Sequence, residues 1–211
     1  MNNITIGIVA KDKIIDSQNY QVISKNNLKY ISNKCNCIAI LNYNNSYIDT
    51  EILNKCNGII FQGGNDIHPY HFQILNYAIN NNIPVLGICM GHQIIGLYSN
   101  NKQNEEELIK INNHNNKNML HKINTTKDSV LNKTLGDNPT VNSRHEYAIK
   151  DVKKPFKVTA LSEDGIIEGI EYIDENHFVI GVQFHPEDLK ESESLYNYFI
   201  KEVLKRKKIN Y

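Results

Sequence analysis

The chain has 211 residues, of which 40% are hydrophobic, which suits one compact domain with a sizeable core. The 23 basic residues balance the 23 acidic residues, so bulk charge does not indicate binding to nucleic acid or an anionic membrane. No apolar run reaches the roughly 18 residues needed to span a bilayer. The chain also opens without a secretory leader, so we expect a cytoplasmic protein whose four cysteines stay reduced.

The first half of the sequence alternates short apolar runs with longer amphipathic segments. The apolar runs predict strands at 4–9, 37–41, 58–61 and 84–88. The segments between them predict helices at 18–33, 49–54, 70–81 and 90–99. This alternation favours a parallel sheet with helices on both faces, which also explains why the strands are apolar on both sides.

The second half of the sequence has a different pattern of apolar and polar residues. Residues 100–118 are polar and predict an excursion on the surface, and strands are predicted at 119–123, 140–142, 156–161, 166–173 and 178–182. Turn signals at Asp164-Gly165 and Asp174-Glu175-Asn176 predict an antiparallel meander. A closing helix is predicted at 191–207, with a basic end that caps its negative pole. The predicted fold is therefore an α/β sandwich of three layers, with a mainly parallel central sheet and a small antiparallel β region in the second half.

Cys89 lies between Gly87 and Gly91, at the junction of a predicted strand and the helix that follows it. The N-terminus of a helix stabilises a thiolate, and bare glycines relieve crowding in a tight turn. The backbone N–H of Met90 would then point to where an oxyanion forms. The pattern predicts a cysteine nucleophile, although a small buried residue between packing glycines fits the same letters.

A partner for this thiol occurs at the end of the last predicted strand. His185 follows that strand, and Glu187 lies two residues further on, beyond Pro186. In an extended stretch, alternate residues can turn to the same side, so the carboxylate can orient the imidazole. Cys89, His185 and Glu187 thus form a candidate set of nucleophile, base and orienting group.

The third candidate segment is the paired glycine that ends the strand at 58–61. Glycines let backbone N–H groups approach a ligand without a Cβ in the way. We predict Gly64 as the second oxyanion donor beside Met90, and Gly63 as part of the substrate-binding surface.

These three segments, in this order, resemble the triad-type glutamine amidotransferase superfamily. The segment GICMGHQ is similar to its nucleophile motif, FQGGND to its oxyanion strand and GVQFHPE to its His–Glu motif. The resemblance spans nearly the whole chain and implies one flavodoxin-like domain over residues 1–211. It implies a catalytic triad of Cys89, His185 and Glu187, acting through a thioester without a cofactor or metal.

Within that superfamily the chain looks most like the γ-glutamyl hydrolases. The segments GGNDIHPY, NSRHEYAI and DGIIEGIE are similar to hydrolase motifs, although Glu146 and Tyr147 replace a His and a Gln. A long insertion that is usual after the Pro–Tyr stretch is missing here. The resemblance implies a small γ-glutamyl substrate, with Gln93 contacting the glutamyl group and with Arg144 and His145 on the leaving-group side.

Three alternatives stay open at this point. The leaving group is either a small amine or, as in relatives from bacterial capsule pathways, a nucleotide-linked phosphoramidate such as a CDP-amidate. The chain could instead be a glutaminase component that supplies ammonia to a synthetase partner, which is the less favoured interpretation. A non-catalytic flavodoxin-like protein with a reactive cysteine needs neither His185 nor Glu187. No nucleic-acid or membrane partner is expected, and the oligomeric state is left open.

No metal site is predicted from the spacing of ligands. Cys35-Asn36-Cys37 has no second cysteine pair, and His68 and His71 have no third ligand, so both histidines are interpreted as surface residues. His92 is interpreted as a packed residue of the helix that follows Cys89. Glu168 either orders a binding loop or faces solvent.

Overall fold

A computed structural model describes residues 4–42, 46–174 and 176–207, with the side chains of residues 117 and 118 left aside. Within these ranges the strands of the first half are β1 Thr5–Val9, β2 Lys11–Ile15, β3 Gln18–Val22, β4 Asn36–Ile40, β5 Gly58–Phe61 and β6 Val85–Ile88. Those of the second half are β7 Ile109–Lys110, β8 Asn115–Thr125, β9 Thr140–Arg144, β10 Tyr147–Ala148, β11 Phe156–Ser162, β12 Ile167–Tyr172 and β13 Val179–Val182. The α-helices are α1 Pro69–Asn80, α2 Met90–Ser99, α3 Val130–Leu135 and α4 Glu193–Lys207.

In the described part of the chain, nine strands form one sheet in the order β4-β1-β5-β6-β13-β12-β11-β8-β9. The pairs from β4 to β13 are parallel, and those from β13 to β9 are antiparallel. The predicted α/β class and the antiparallel meander are confirmed. The antiparallel strands continue the parallel sheet rather than forming a separate layer, and β13 is the strand where the two halves join.

The central strands β5, β6 and β13 are buried on both faces of the sheet, as the apolar runs predict. In β5, Ile59 and Phe61 pack into one core together with residues of α1 and α2. Ile60, which points the other way, packs into a second core with residues of α4 such as Phe199. Because neighbouring side chains of a strand point to opposite faces, each strand needs an unbroken apolar run to serve both cores.

The helix predicted at 18–33 is wrong. Residues 18–22 form β3, which pairs with β2 in a hairpin, and the rest of the segment contains a 3₁₀ turn at Lys25–Leu28. Asp16 and Ser17 both have positive φ, of 49° and 62°, which is the backbone of a tight hairpin turn. The Asp-Ser pair is a weaker turn signal than Asn-Gly or Asp-Gly, and the helical spacing of apolar residues beyond it was coincidental.

Two further segments differ from their predictions. The helix predicted at 49–54 is reduced to a 3₁₀ turn at Leu53–Lys55. The excursion predicted at 100–118 contains the short strand β7 and the first residues of β8, and His114 within it is buried. The polar composition of this segment predicted an exposed position, whereas His114 belongs to a buried group of polar side chains.

The closing helix is confirmed, and it ends partly packed rather than freely solvated. Arg206 is buried, forms an ion pair with Glu202 and lies over the ring of Phe178. Lys208 lies outside the described residues. Among the helices that the structure describes, none has the length and apolar character needed to cross a bilayer.

Candidate active site

Cys89 occupies a strained turn between β6 and α2. Its φ of 51° and ψ of −99° are unusual for a residue with a side chain. A Cβ at Gly87 would lie 2.6 Å from the carbonyl oxygen of Gly91, and one at Gly91 would lie 2.6 Å from that of Phe61. The two glycines therefore let the turn close on itself and pack against the end of β5, which holds the thiol at the first residue of the helix.

His185 reaches the same edge of the sheet because β13 runs parallel to β6. Val182 pairs with Ile88, and the N–H of Cys89 donates to the carbonyl oxygen of Val182 over 2.8 Å. Nδ1 of His185 lies 2.8 Å from Oε1 of Glu187. The side chain of Cys89 is close enough to the same ring to raise its pKa. The structure thus brings the three predicted side chains together at one edge of the sheet.

The imidazole of His185 is shifted towards its charged form. Burial lowers its pKa, but the hydrogen bonds with Cys89 and Glu187 and the charges of both groups outweigh that penalty and raise the pKa to about 9. At neutral pH the ring is therefore held protonated between a sulfur atom and a carboxylate. An imidazolium in this position stabilises a thiolate and has a proton available for a leaving group.

Asn142 in β9 positions the backbone of His185 from the far edge of the sheet. Its Nδ2 donates to the carbonyl oxygen of His185, and its Oδ1 accepts from the N–H of His185, both over 2.8 Å. This two-pronged contact was not found from the sequence, although Asn142 opens the NSRHEYAI segment. The NSRHEYAI motif drew attention to Asn142, but nothing in the motif indicated that this amide would bind the backbone of His185.

Gly63 and Gly64 face the site at close range. A Cβ at Gly63 would lie 2.6 Å from Cε1 of His185 and 3.4 Å from Cβ of Cys89. A Cβ at Gly64 would lie 3.0 Å from Sδ of Met90, so the end of the Met90 side chain packs against Gly64, and the role of the two backbone N–H groups as oxyanion donors stays a prediction. Gln62, just before them, is buried and donates to the carbonyl oxygens of Val9 and Val22, which ties the glycine loop to the β2–β3 hairpin.

Lys11, at the start of that hairpin, is a site residue that the sequence did not reveal. A Cβ at Gly64 would lie 3.3 Å from Cβ of Lys11. Partial burial lowers the pKa of the Lys11 ammonium group, while the charges of Glu187 and Cys89 act in the opposite direction. The ammonium group of Lys11 is therefore part of the surroundings of the Cys89 thiol. The β2–β3 hairpin places it there, and part of that hairpin was predicted as a helix.

The predicted substrate contacts lie around the same edge of the sheet. Gln93 is buried in α2, and its Nε2 donates to the carbonyl oxygen of Tyr147 over 2.8 Å. Arg144 forms an ion pair with Asp188, next to Glu187. His145 is buried, and its Nδ1 lies 3.0 Å from the same Tyr147 carbonyl. The role of these residues in substrate binding stays a prediction.

The other histidines are also placed. His92 is fully buried beneath the elbow, as expected, and burial lowers its pKa to about 4. The surface assignment is wrong for His71, which is buried and whose Nδ1 accepts from the N–H of His68, whereas the side chain of His68 is 21% exposed. His68 itself forms an ion pair with Asp12.

A cavity of about 960 Å³ opens beside the glycine loop. It lies between the β2–β3 hairpin and the loop after β5, and three of its lining residues are acidic or basic. Its charged lining comprises Asp12, Lys13 and Asp66. The cavity adjoins Gly64 through Asn65, and it does not include the sulfur or the imidazole.

The comparisons with known proteins agree with this geometry. The family model described as Peptidase C26 matches residues 70–187, which is more than half of the chain. The chain belongs to the Peptidase C26 family. As a Peptidase C26 member it is a C–N hydrolase of the glutamine amidotransferase type, and the superfamily inferred from the three motifs is confirmed.

Individual Peptidase C26 relatives carry several names. Protein NtpR of Enterococcus hirae is 29% identical over 74% of this chain and 77% of that protein. A component of the glutamine-hydrolysing GMP synthase of Methanosphaera stadtmanae is 30% identical over 67% of this chain and 70% of that component. A crystal structure described as a GMP synthase component from Thermoplasma acidophilum superposes with a TM-score of 0.70 at 18% identity, covering 100% of this chain and 98% of that one. This last likeness concerns the fold.

Proposed function

We propose that this protein hydrolyses γ-glutamyl amides through a thioester on Cys89 and releases glutamate and an amine. The observation that carries the proposal is the position of the His185 ring, which is hydrogen-bonded to Glu187 and lies close enough to Cys89 for that side chain to raise its pKa. A buried structural histidine needs one such partner. An imidazole placed between a thiol and a carboxylate has the arrangement of a nucleophile with its base.

The mechanism follows from the placement of these groups. The Cys89 thiolate attacks the γ-carbonyl carbon, and the backbone N–H groups of Gly64 and Met90 stabilise the oxyanion. One such donor is typically worth about 3 kcal/mol. The tetrahedral intermediate collapses as the protonated His185 gives its proton to the departing nitrogen. The neutral ring then takes a proton from water, which attacks the thioester, releases glutamate and restores the thiolate with the imidazolium.

The leaving group proposed here is a small amine. The cavity beside the glycine loop is lined by the carboxylates Asp12 and Asp66, against one lysine, Lys13. Two carboxylates favour a cationic leaving group and disfavour the diphosphate of a nucleotide-linked phosphoramidate. This support for the amine over the nucleotide applies to a leaving group that extends past the glycine loop into the cavity, because the lining does not include Cys89 or His185.

The second candidate function is a glutaminase that passes ammonia to a synthetase. It is supported by the 30% identity to a component of a GMP synthase and by the Met90-Gly91-His92-Gln93 stretch. This alternative uses the same triad with glutamine as substrate. It predicts weak glutamate release by the chain alone and strong activation by the partner.

A glutamate-release screen of the purified chain separates these proposals. The substrates are glutamine, γ-glutamyl amides of a diamine and of aminobutyrate, and a γ-glutamyl phosphoramidate nucleotide. We expect the diamine amide to have the highest kcat/KM, and we expect Cys89→Ser to abolish release. Cys37→Ser is the matched control, since Cys37 is a partly exposed free thiol on the edge strand β4. Preference for the nucleotide, or turnover of glutamine alone, would refute the amine hydrolase.

A further inference from the structure

One buried carboxylate in the antiparallel half of the sheet has four histidines around it. The carboxylate is that of Glu168 in β12, which is completely buried. His114 precedes β8, His121 lies in β8 and His145 follows β9. His92 of α2, also fully buried, is close enough for the charge of Glu168 to raise its pKa against the larger effect of burial.

The carboxylate has no hydrogen-bond partner for either oxygen among the described residues. Its Oε1 lies 3.4 Å from Nε2 of His145 and 3.7 Å from both Nδ1 of His114 and Nε2 of His121. A buried charge without hydrogen bonds is costly, and a cation between these groups is the simplest way to satisfy it. The distances are too long for direct hydrogen bonds and too short for the groups to be independent.

The tautomer of His145 sharpens this argument. Its Nδ1 faces the carbonyl oxygen of Tyr147 over 3.0 Å, and a carbonyl oxygen can only accept. Nδ1 therefore carries the proton, and the lone pair of Nε2 in the neutral ring faces Glu168. Two electron-rich atoms that face each other at 3.4 Å inside the protein repel each other unless a proton or a metal cation lies between them.

His114 is held in the same manner. Its Nε2 lies 3.0 Å from Oδ2 of Asp164, which leaves Nδ1 directed towards Glu168 and towards Oγ of Ser143, 2.9 Å away. The hydroxyl of Ser143 donates its single proton to the carbonyl oxygen of His114, so it accepts a hydrogen bond from Nδ1 of that ring. A metal that binds at Nδ1 must displace this ring proton. A carboxylate behind a ligating histidine is the usual outer support of a metal-bound imidazole.

We propose that His114, His145 and Glu168 bind a divalent transition metal, with Zn²⁺ as the best fit. Ligand atoms about 2.0–2.1 Å from a tetrahedral zinc lie about 3.3–3.4 Å from one another. The distance of 3.4 Å from Oε1 of Glu168 to Nε2 of His145 matches an edge of such a tetrahedron, and the distance of 3.7 Å to Nδ1 of His114 is longer than an edge. Imidazole nitrogens combined with a carboxylate suit zinc better than magnesium or calcium, which prefer oxygen.

The site is a structural one. The side chains of His114, His145 and Glu168 are at most 2% exposed, so a substrate has no access to the metal. In the sheet, β11 lies between β12 and β8, so the metal ties the end of the β8–β9 ribbon across β11 to β12. The Tyr147 carbonyl that orients His145 also accepts from Gln93, so this tie supports the wall of the proposed active site.

The direct test uses the intact chain. We expect close to one equivalent of zinc per chain after purification, and we expect Zn²⁺ added to metal-stripped protein to raise Tm by roughly 5 °C or more. Co²⁺ added in place of Zn²⁺ should give the intense visible absorption of a four-coordinate site. Metal-stripped protein with an unchanged Tm after Zn²⁺ addition, or a weak six-coordinate cobalt spectrum, would overturn the proposal in favour of a shared proton.

Variants locate the metal. Glu168→Gln and His145→Gln should lose the bound metal, and Asp164→Asn should weaken its affinity by about 10–100-fold because the support of His114 is lost. His177→Gln is the matched control, since His177 pairs with Asp174 at the surface, 3.1 Å away. Cys89→Ser should keep the metal. Zinc retained in Glu168→Gln but lost in Cys89→Ser would place it on the thiol and refute the site, and the wild-type titration decides if a variant fails to fold.

Discussion

The protein contains two buried groups of histidine and carboxylate that differ in spacing. In one, His185 and Glu187 are joined by a 2.8 Å hydrogen bond, and the ring lies near Cys89, which raises its pKa. In the other, the histidines stand 3.4–3.7 Å from Glu168, whose oxygens have no hydrogen-bond partner in the described ranges. The first spacing suits transfer of a proton along a line, and the second suits a cation at the centre of its ligands.

The comparison shows that residue type alone does not reveal chemistry. Both groups combine imidazole with carboxylate, and both lie in segments that resemble hydrolase motifs. What differs is the direction of the lone pairs. Nδ1 of His185 donates a hydrogen bond to the carboxylate of Glu187. Nδ1 of His145 donates to a carbonyl oxygen, so Nε2 of that ring faces Glu168, whose carboxylate has no proton to donate. The predictions below test whether the two groups act separately.

The largest expected effect comes from the proton-transfer line. His185→Ala should lower kcat for glutamate release by about 10⁴-fold, because triad members act as a unit. Its metal content should stay unchanged, which separates the two groups. His177→Ala serves as control and should keep full activity. Wild-type turnover by the His185 variant would show that this ring takes no part in the reaction.

The pH dependence of stability should also report on His185. Its folded pKa of about 9 is above the unfolded value near 6.5, so its stabilising contribution is complete below pH 6.5 and is lost as pH rises through 9. The loss should reach about 3 kcal/mol in the free energy of unfolding. Urea unfolding at pH 6.5 and 9.5 measures it. Glu187→Gln should flatten the dependence, and an equally steep decline in that variant would contradict the assignment.

A smaller effect on activity is expected from the glycine loop. Gly63→Ala places a methyl group 2.6 Å from Cε1 of His185 and should lower kcat by about 10²-fold by displacing the ring. Gly64→Ala is the matched variant, because its methyl group meets the flexible end of Met90. We expect it to cost less than about tenfold. Steady-state kinetics on both variants, with Tm as a check on folding, tests the ranking.

An effect smaller than that of Gly63→Ala is expected from the residue that holds the backbone of His185. Asn142→Ala removes both hydrogen bonds to that backbone and should lower kcat by about tenfold, with KM little changed. Asn142→Asp, which keeps the acceptor for the His185 N–H, should recover part of the loss. Equal defects in the two variants would mean that the amide supports only the fold.

Much of the parallel half could be predicted, because its strands and helices follow from local patterns. The unbroken apolar runs of β5 and β6, the N-terminus of α2 at Cys89 and the two glycines around it are all visible in the letters. The failures lie where distant residues impose the structure. The β2–β3 hairpin is held by Gln62, which bonds to Val9 and Val22, and no pattern in residues 18–33 reports that contact.

The sequence by itself determined the alternation of strands and helices, the thiol at a helix start and the order of the three motifs, because each depends on neighbours within a few residues. Only the tertiary structure decided which side chains meet. Lys11 reaches the rim of the site, Asn142 holds His185, and His114 and His145 converge on Glu168 through pairings between residues tens of positions apart. Which of these residues converge depends on the order of the strands in the sheet, and the local spacing of residues does not encode that order.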